Sequence, residues 1–140
     1  MNLIIDAAPL VALADRRDPQ RERVEAALRA EAGDLVVPAP VTAEIDYLLG
    51  RRLGRTARLA FLEDLSAARF TVAGLDATDH AVVCDLERKY ADLDAGLADL
   101  SAVVVAERYG TRRLLTFDER HFRALRPLSG GHFVLLPVDA

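Results

Sequence analysis

The chain has 140 residues, a length typical of one domain with one core, which excludes two full domains. Apolar residues make up 51% of the chain and charged residues 29%, which excludes a disordered polyelectrolyte. The net charge of −4 argues against a protein that coats nucleic acid by charge alone, although it is compatible with a nucleic-acid enzyme.

Short apolar runs recur between segments with helical periodicity, and each run predicts a buried strand. The runs are Leu3–Ile5, Leu35–Val37, Phe70–Val72, Leu114–Thr116 and Phe133–Leu136. The helices between them are predicted to open near Pro9, Asp18, Val41, Thr56, Asp76 and Ala98. This alternation predicts a three-layer α/β/α sandwich with a mostly parallel five-stranded sheet, since parallel neighbours need helical crossovers. No repeat or linker interrupts the pattern, so residues 1–140 are expected to form a single domain.

Cys84 is the single cysteine, which excludes an internal disulfide and a cysteine-based zinc site and favours a reducing cytoplasm. Its neighbours Val82 and Val83 indicate a small buried residue on a helix. The first residues lack the cationic and apolar segments of a signal peptide, and no run approaches the ~18 apolar residues of a membrane span. We therefore expect a cytoplasmic protein without a membrane segment.

Two aspartates follow predicted strands at their carboxyl ends. Asp6 comes directly after the first strand, and Asp118 follows the fourth strand in the same way. In open α/β sheets, ligands bind at this edge, most often where the strand order reverses. If the first and fourth strands are neighbours, the two carboxylates converge there. Either residue alone is better explained as a helix cap or part of an Asx turn.

Two further acids are expected at the same edge. Glu44 lies in the first turns of the third helix, and Asp99 lies at the start of the sixth. Taken singly, Glu44 is also explained as a solvated residue of the helix face and Asp99 as a charge that complements the helix dipole. Crowded carboxylates raise one another's pKa unless a cation lies between them. Carboxylate oxygens with no cysteine and no convincing histidine suit Mg²⁺ or Mn²⁺ rather than zinc. Such a cation can activate a water and stabilise an in-line phosphoryl displacement, so the implied reaction is phosphodiester hydrolysis.

These acids belong to four short segments with a characteristic order and spacing. The segments are Leu3–Asp6, Thr42–Ile45, Gly96–Asp99 and Leu114–Asp118. No single segment is specific to one protein family, but the four segments in this order are. With them, the chain resembles along essentially its whole length a PIN-domain protein, and specifically a VapC-type toxin ribonuclease of a type II toxin–antitoxin system.

The resemblance implies a set of site residues and a function. The catalytic metal-binding acids would be Asp6, Glu44, Asp99 and Asp118, with Asp94 as a further ligand and Thr116 as a hydroxyl partner. The implied activity is a Mg²⁺-dependent endoribonuclease, with Mn²⁺ as a substitute, that cleaves tRNA or rRNA and so inhibits translation. The implied partners are a second copy in a homodimer and a cognate VapB-type antitoxin whose C-terminal segment blocks the site. Ala7 departs from the family, which usually carries Ser or Thr there to supply a hydrogen bond.

Two groups of arginines are candidates for RNA binding. Arg51 and Arg52 lie near the end of the third helix, where solvated cations that complement the helix dipole are an equal explanation. Arg120 and Arg123 follow Asp118 closely and are expected nearest the scissile phosphate. His121 lies between them and is interpreted as an ordinary surface histidine rather than a general acid.

Other functions compete with the nuclease. A signalling receiver domain needs adjacent acids after the first strand, and an Asp-x-Asp phosphatase needs an acid two residues after Asp6. Ala7 and Ala8 stand at those positions, so both classes are disfavoured. The remaining alternative is a non-catalytic PIN-like interaction module whose acids bind a partner's arginines, and metal binding would discriminate between the two.

Overall fold

Five short parallel strands form one sheet in the computed structural model, which describes residues 1–140. The strands are β1 (Leu3–Ile5), β2 (Leu35–Pro38), β3 (Thr71–Ala73), β4 (Arg113–Leu115) and β5 (Val134–Leu136). Their spatial order is β3-β2-β1-β4-β5, and every neighbouring pair is parallel. The predicted α/β fold with five strands is confirmed, and the sheet is wholly rather than mostly parallel.

Seven α-helices and one short 3₁₀ turn, Ala91–Leu93, surround the sheet. The helices are α1 (Ala7–Ala14), α2 (Arg21–Ala30), α3 (Ala39–Arg52), α4 (Arg55–Ser66), α5 (Ala77–Lys89), α6 (Gly96–Arg108) and α7 (Glu119–Ala124). The second helix begins at Arg21 rather than near Asp18, because the Asp18 carboxylate accepts the N–H of Gln20 and holds a turn there. The sequence did not predict α7, since six residues are too few to show a helical period.

Successive strand residues point to opposite faces of the sheet, and separate helices cover each face. One face packs on α5, α6 and α7 and is formed by Ile4, Val36, Leu114 and Leu135. The other packs on α1 to α4 and is formed by Leu3, Ile5, Val37, Leu115 and Leu136. Strands covered on both faces need apolar residues at every position, which explains their continuous apolar runs. The edge strands are the exceptions, because Thr71 and Val72 of β3 and Val134 of β5 are exposed.

The position of β1 creates an opening at the carboxyl edge. The strands β2 and β3 extend from it to one side, whereas β4 and β5 extend to the other. Ile5 pairs with Leu115 across the parallel contact between β1 and β4. The strand order therefore reverses beside Asp6, at the place where open α/β sheets bind ligands.

The helix α6 begins at this opening and runs through the core. Seven successive residues, Leu100–Ala106, are buried, so this stretch has no solvent face. The Ser101 hydroxyl donates to the Ala98 carbonyl at 2.6 Å, which satisfies the one polar side chain in the stretch. Because the helix is enclosed on all sides, Asp99 in its first turn is held firmly in place.

The amino edge of the sheet holds a buried carboxylate of its own. The Glu31 side chain is 4% exposed; it lies 3.2 Å from Nε of Arg113 and 3.5 Å from the N-terminal amine. It also accepts the N–H of Gly33 at 3.2 Å. Burial alone would raise the pKa of Glu31, but these donors outweigh it and the pKa is lowered. Only glycine fits at Gly33, because a Cβ there would lie 2.0 Å from the Met1 carbonyl oxygen.

Cys84 is exposed, so the prediction that it is buried is wrong. The period of α5 turns Val83 and Leu86 towards the core and leaves Cys84 outside. None of the helices combines the length and the apolar character needed to cross a membrane.

Candidate metal centre

A cavity of about 640 Å³ opens at the carboxyl ends of β1 and β4. Its lining includes the four predicted acids, Asp6, Glu44, Asp99 and Asp118. One arginine, one aromatic residue and several aliphatic residues form the rest of the wall. They are Arg52, Phe117, Leu48, Leu97 and Ala8, together with residues 95, 96 and 98. The structure thus places four acids from four separate segments of the chain in the wall of one cavity.

Asp6 is held at both carboxylate oxygens. Its Oδ1 accepts the N–H of Ala7 at 2.8 Å as the cap of α1, and its Oδ2 accepts the Thr116 hydroxyl at 2.7 Å. Burial raises the pKa of Asp6, the two hydrogen bonds oppose this effect, and the negative charge of Asp118 adds to it. The side chain is therefore fixed in orientation but forms no ion pair, and the nearby His121 offsets the raised pKa only in part.

Thr116 orients two of the acids at once. Its side chain is buried, its hydroxyl donates to Asp6, and the same oxygen accepts the N–H of Asp118 at 3.0 Å. The hydroxyl partner expected from the family therefore contacts the acids. Ala7 has no hydroxyl to offer, and at that position the backbone N–H alone contacts Asp6.

His121 lies between two of the acids, and its interpretation as a surface histidine is wrong. Its Nδ1 lies 2.6 Å from Oδ2 of Asp99 and 2.9 Å from Oδ2 of Asp118, and its side chain is 16% exposed. Asp118 caps α7, and its Oδ1 accepts the N–H of His121 at 2.9 Å. The signal that could have located His121 is its spacing of three residues from a helix-capping aspartate. That signal requires α7, which is too short to predict.

The charged forms of the other two acids, Asp99 and Glu44, are also disfavoured. Burial raises the pKa of Asp99 to about 6; the hydrogen bond with His121 opposes this effect, and the charges of Asp6 and Asp118 reinforce it. Glu44 lies at the exposed rim, where partial burial and the charge of Asp6 raise its pKa. Four carboxylates line the cavity, and its basic groups are the imidazole between Asp99 and Asp118 and the Arg52 side chain in the wall, so the cavity has excess negative charge.

A divalent cation fits these residues. Carboxylate oxygens of Asp99 and Asp118 and a ring nitrogen of His121 all lie within 4.8 Å of one another. Carboxylate oxygens are the ligands that Mg²⁺ prefers, and an imidazole nitrogen in addition also suits Mn²⁺. The raised pKa values of Asp6, Glu44 and Asp99 point the same way, because each carboxylate would be stabilised by a nearby positive charge.

Asp94 lies outside this cavity, contrary to its predicted place as a further ligand. It occupies an exposed left-handed turn with φ of 56°, directly before α6. Asp94 instead lines a separate depression beside α5, together with Cys84 and Arg88. The spacing from Asp99 suggested proximity, but the turn separates the two residues.

The predicted arginines differ in their placement. Arg52 lines the cavity, whereas Arg51, on the same helix, does not. Arg120 is exposed on α7. Arg123 is engaged within the chain, because its Nη1 and Nη2 donate to Oδ2 and Oδ1 of Asp139 at 2.8 and 2.6 Å. Of the four arginines predicted to bind RNA, Arg52 has the position that best suits a bound phosphate.

Comparison with known proteins identifies the family. The PIN domain family model matches residues 3–126. The chain is 40% identical over 135 residues to Ribonuclease VapC26 of Mycobacterium tuberculosis, a match that covers 96% of this chain and 100% of that protein.

Solved structures show the same fold. VapC20 of Mycobacterium tuberculosis, described as a Sarcin-Ricin loop cleaving toxin, superposes with a TM-score of 0.76 at 17% identity, covering 83% of this chain and 89% of its own. The structure of VapBC2 from Rickettsia felis bound to a DNA fragment from their promoter superposes with a TM-score of 0.68 at 17% identity. The match covers 96% of this chain and 97% of that chain. FitAcB from Neisseria gonorrhoeae superposes with a TM-score of 0.63 at 19% identity, and the match covers 86% of this chain and 90% of that chain. With the family match over most of its length and its identity to a VapC ribonuclease, this chain belongs to the PIN-domain family and is of the VapC type.

Proposed function

We propose that this protein is a metal-dependent endoribonuclease that acts as the toxin of a toxin–antitoxin pair. One observation carries the proposal: in a PIN-domain chain, four acids converge in one cavity with too little positive charge to balance them. The identity to a ribonuclease supports RNA as the substrate class and hydrolysis of a phosphodiester bond as the reaction.

The acids Asp6, Glu44, Asp99 and Asp118 would hold Mg²⁺, with Mn²⁺ as a substitute. When bound, the cation supplies positive charge to the scissile phosphate and lowers the pKa of an attacking water. Thr116 holds Asp6 and the backbone of Asp118 in fixed positions, so the site needs little rearrangement to bind an ion.

His121 has a supporting task in the same centre. Its ring nitrogen lies between the carboxylates of Asp99 and Asp118 and carries the one basic group among them. With a proton on Nδ1 it donates to these oxygens and limits the rotation of both side chains. The histidine thereby holds close together two acids that would otherwise repel one another.

RNA would enter along the wall that carries Arg52. This side chain is exposed, lines the cavity and forms no ion pair within the chain, so its guanidinium is free to bind a phosphate. The apolar side chains of Leu48, Leu97 and Phe117 offer surface for ribose and base. Phosphate contacts position a strand without reading its sequence. We propose rRNA or tRNA as the target and inhibited translation as the result; the solved neighbour described as a Sarcin-Ricin loop cleaving toxin supports rRNA.

The proposed partners are a VapB-type antitoxin and a second copy of the chain. The similarity to VapC26 and to the VapBC2 structure supports an antitoxin. An apolar groove of about 650 Å³ between α1, α3 and α4 gives such a partner a place to bind, and its lining includes Leu10, Leu13, Leu49, Leu53 and Phe61. Because α3 also carries Glu44 and Arg52, a segment bound in the groove could reach the acids and block them.

Cleavage of total bacterial RNA by the purified protein, freed of any antitoxin, tests this function. We expect discrete products in Mg²⁺ that disappear in EDTA and in Asp99→Asn, and mapping of the product ends then names the target. Isothermal titration with Mn²⁺ distinguishes the alternative of a non-catalytic module. Tight binding without cleavage of total RNA, tRNA or rRNA favours that module, and absence of binding contradicts the metal centre itself.

A further inference from the structure

The short helix α7 carries two groups of the metal centre but has little stability of its own. It holds only six residues, with Asp118 as its cap and His121 in its first turn. Isolated helices of this length do not form in water, because nucleation costs more than one turn of hydrogen bonds returns. The positions of Asp118 and His121 must therefore come from contacts between α7 and the rest of the chain.

Besides the contact of His121 with Asp99, three contacts hold α7 in place. At its start, the Thr116 oxygen accepts the N–H of Asp118. In its middle, Phe122 is buried and packs edge-on against Phe133, with ring centroids 6.3 Å apart. At its end, Arg123 reaches Asp139 in the last residues of the chain.

The contact with Asp139 has the geometry of a firm anchor. Two guanidinium nitrogens of Arg123 meet the two carboxylate oxygens, an arrangement that fixes orientation as well as distance. Asp139 is itself attached to β5, because its Oδ2 accepts the N–H of Leu135 and its N–H donates to the Leu135 carbonyl, both at 2.7 Å. Arg123 and the N–H of Leu135 lower the pKa of Asp139 to about 2, so the pair stays charged at neutral pH.

The anchor lies across the helix from the metal centre. Residues two apart in an α-helix are separated by about 200° around its axis, so His121 and Arg123 lie on opposite sides, with Phe122 between them. His121 ties one side of α7 to Asp99, and Arg123 ties the other side to Asp139 and β5. A buried phenyl ring alone permits the helix to rock, whereas attachments on both sides prevent it.

We propose that the Arg123–Asp139 pair is a positioning device for the metal centre, which sets the rotation of α7 and so the places of Asp118 and His121. The inference rests on the proposed function. Arg123 is then a positioning residue rather than an RNA contact, since its guanidinium is already engaged. Asp139, which lies outside the cavity, becomes a determinant of metal affinity.

The test compares Arg123→Ala, Asp139→Ala and the double variant in the full chain. Titration with Mn²⁺ alone measures metal affinity, and cleavage of the mapped RNA measures kcat and KM separately. We expect each single change to weaken Mn²⁺ binding about 10-fold and to lower kcat, with KM little changed. The double variant should lower Mn²⁺ affinity no further than the single variants, because the contact between α7 and Asp139 is lost in all three. Asp139→Asn serves as the second variant if Asp139→Ala folds poorly.

A matched control removes another exposed ion pair. Arg29→Ala and Glu25→Ala each break a pair on α2, far from α7, and should leave Mn²⁺ affinity unchanged. Amide hydrogen exchange of residues 119–125 measures α7 without metal or RNA, and it should accelerate in both anchor variants but in neither control.

Several results would overturn the proposal. If Arg123→Ala raises KM while Asp139→Ala does not, Arg123 contacts RNA. A lower melting temperature with unchanged Mn²⁺ affinity and unchanged exchange in α7 would show a purely stabilising ion pair. Failure of the proposed function is seen separately, in a wild-type protein that neither binds Mn²⁺ nor cleaves RNA, and the exchange measurement still decides whether the pair holds α7.

Discussion

The two edges of this sheet both bury carboxylates, but they treat the charge in opposite ways. At the amino edge, Glu31 has Arg113, the N-terminal amine and the N–H of Gly33 as partners, and its pKa is lowered. At the carboxyl edge, the pKa values of Asp6 and Asp99 are raised, because burial and neighbouring acids outweigh the Thr116 hydroxyl, the N–H of Ala7 and the imidazole of His121.

The difference shows how similar burial can serve the fold or the function. A carboxylate that has all its partners joins elements together and has no need of a ligand. A cluster with fewer cations than acids is costly in the folded state without an ion and gains free energy when a cation binds. Glu31 therefore belongs to the structural framework, whereas Asp6 and Asp99 belong to the candidate metal centre.

Asp99→Asn should produce the largest change. We expect RNA cleavage to fall by more than about 100-fold, because a neutral amide of the same size removes a proposed metal ligand. The metal-free protein should at the same time melt at a higher temperature at pH 7, since a buried, repelled charge is gone. Cleavage assays and thermal unfolding in EDTA measure the two effects. Wild-type cleavage in this variant would remove Asp99 from the site.

Thr116→Val should have the next largest effect, and a threonine beside the opposite end of β4 provides its control. Losing the hydroxyl frees Asp6 and leaves the N–H of Asp118 without its acceptor, so Mn²⁺ affinity should fall about 10- to 100-fold. Thr111 bridges the opposite end of β4, where it donates to the Asn2 carbonyl and accepts the N–H of Arg113. Thr111→Val should cost stability but leave Mn²⁺ affinity unchanged, and equal losses of affinity in both variants would contradict this account.

Glu31→Gln tests the amino edge directly. The amide keeps the shape but loses the charge that Arg113 and the N-terminal amine face, so we expect a loss of about 2 kcal/mol in the free energy of unfolding. Urea denaturation measures this loss. RNA cleavage below the unfolding transition should match that of the wild type, and a selective loss of kcat would show that the two edges are coupled.

Arg52→Ala should raise the KM for RNA about 10-fold, since a free guanidinium in the cavity wall is worth one charged hydrogen bond to phosphate. Arg51→Ala is the matched variant, because it removes the same charge from the neighbouring position outside the cavity. The increase should be smaller there, and equal effects would indicate a diffuse electrostatic contribution instead of a contact. Steady-state kinetics at constant ionic strength separates these outcomes.

The smallest expected effect is a pH dependence of stability in the absence of metal. The pKa of Asp99 is raised from 3.8 to about 6, so its contribution to stability is present below pH ~4 and lost as the pH rises through about 6. Glu31 has a lowered pKa, so its contribution is present above its unfolded value of 4.5 and is lost only at more acidic pH. Between pH 7 and 5 the melting temperature should therefore rise, and Asp99→Asn should flatten that rise. A slope that this variant leaves unchanged would assign it to another group.

Local patterns in the sequence predicted most of the framework and four of the groups at the site. The apolar runs located the strands, because a strand covered on both faces needs apolar residues throughout. Asp6 and Asp118 were found because an acid directly after a strand lies at a defined edge. The third and sixth helices began near enough to that edge to add Glu44 and Asp99.

The groups that sequence analysis missed or misplaced depend on short or distant contacts. His121 needed the six-residue helix α7, and Asp94 was separated from the acids by a single left-handed turn. Arg123 was interpreted as an RNA contact because its partner Asp139 lies 16 residues away.

The sequence by itself determined which side chains carry charge at the ends of strands, since residue type and strand position are local properties of the chain. Tertiary structure alone decided the strand order that brings β1 beside β4, and with it the meeting of Asp6 and Asp118. It also decided which carboxylates receive cations. Glu31 finds Arg113 from 82 residues away, whereas the acids at the opposite edge find mainly one another. Electrostatic balance depends on distances in space, and those distances exist only after the chain has folded.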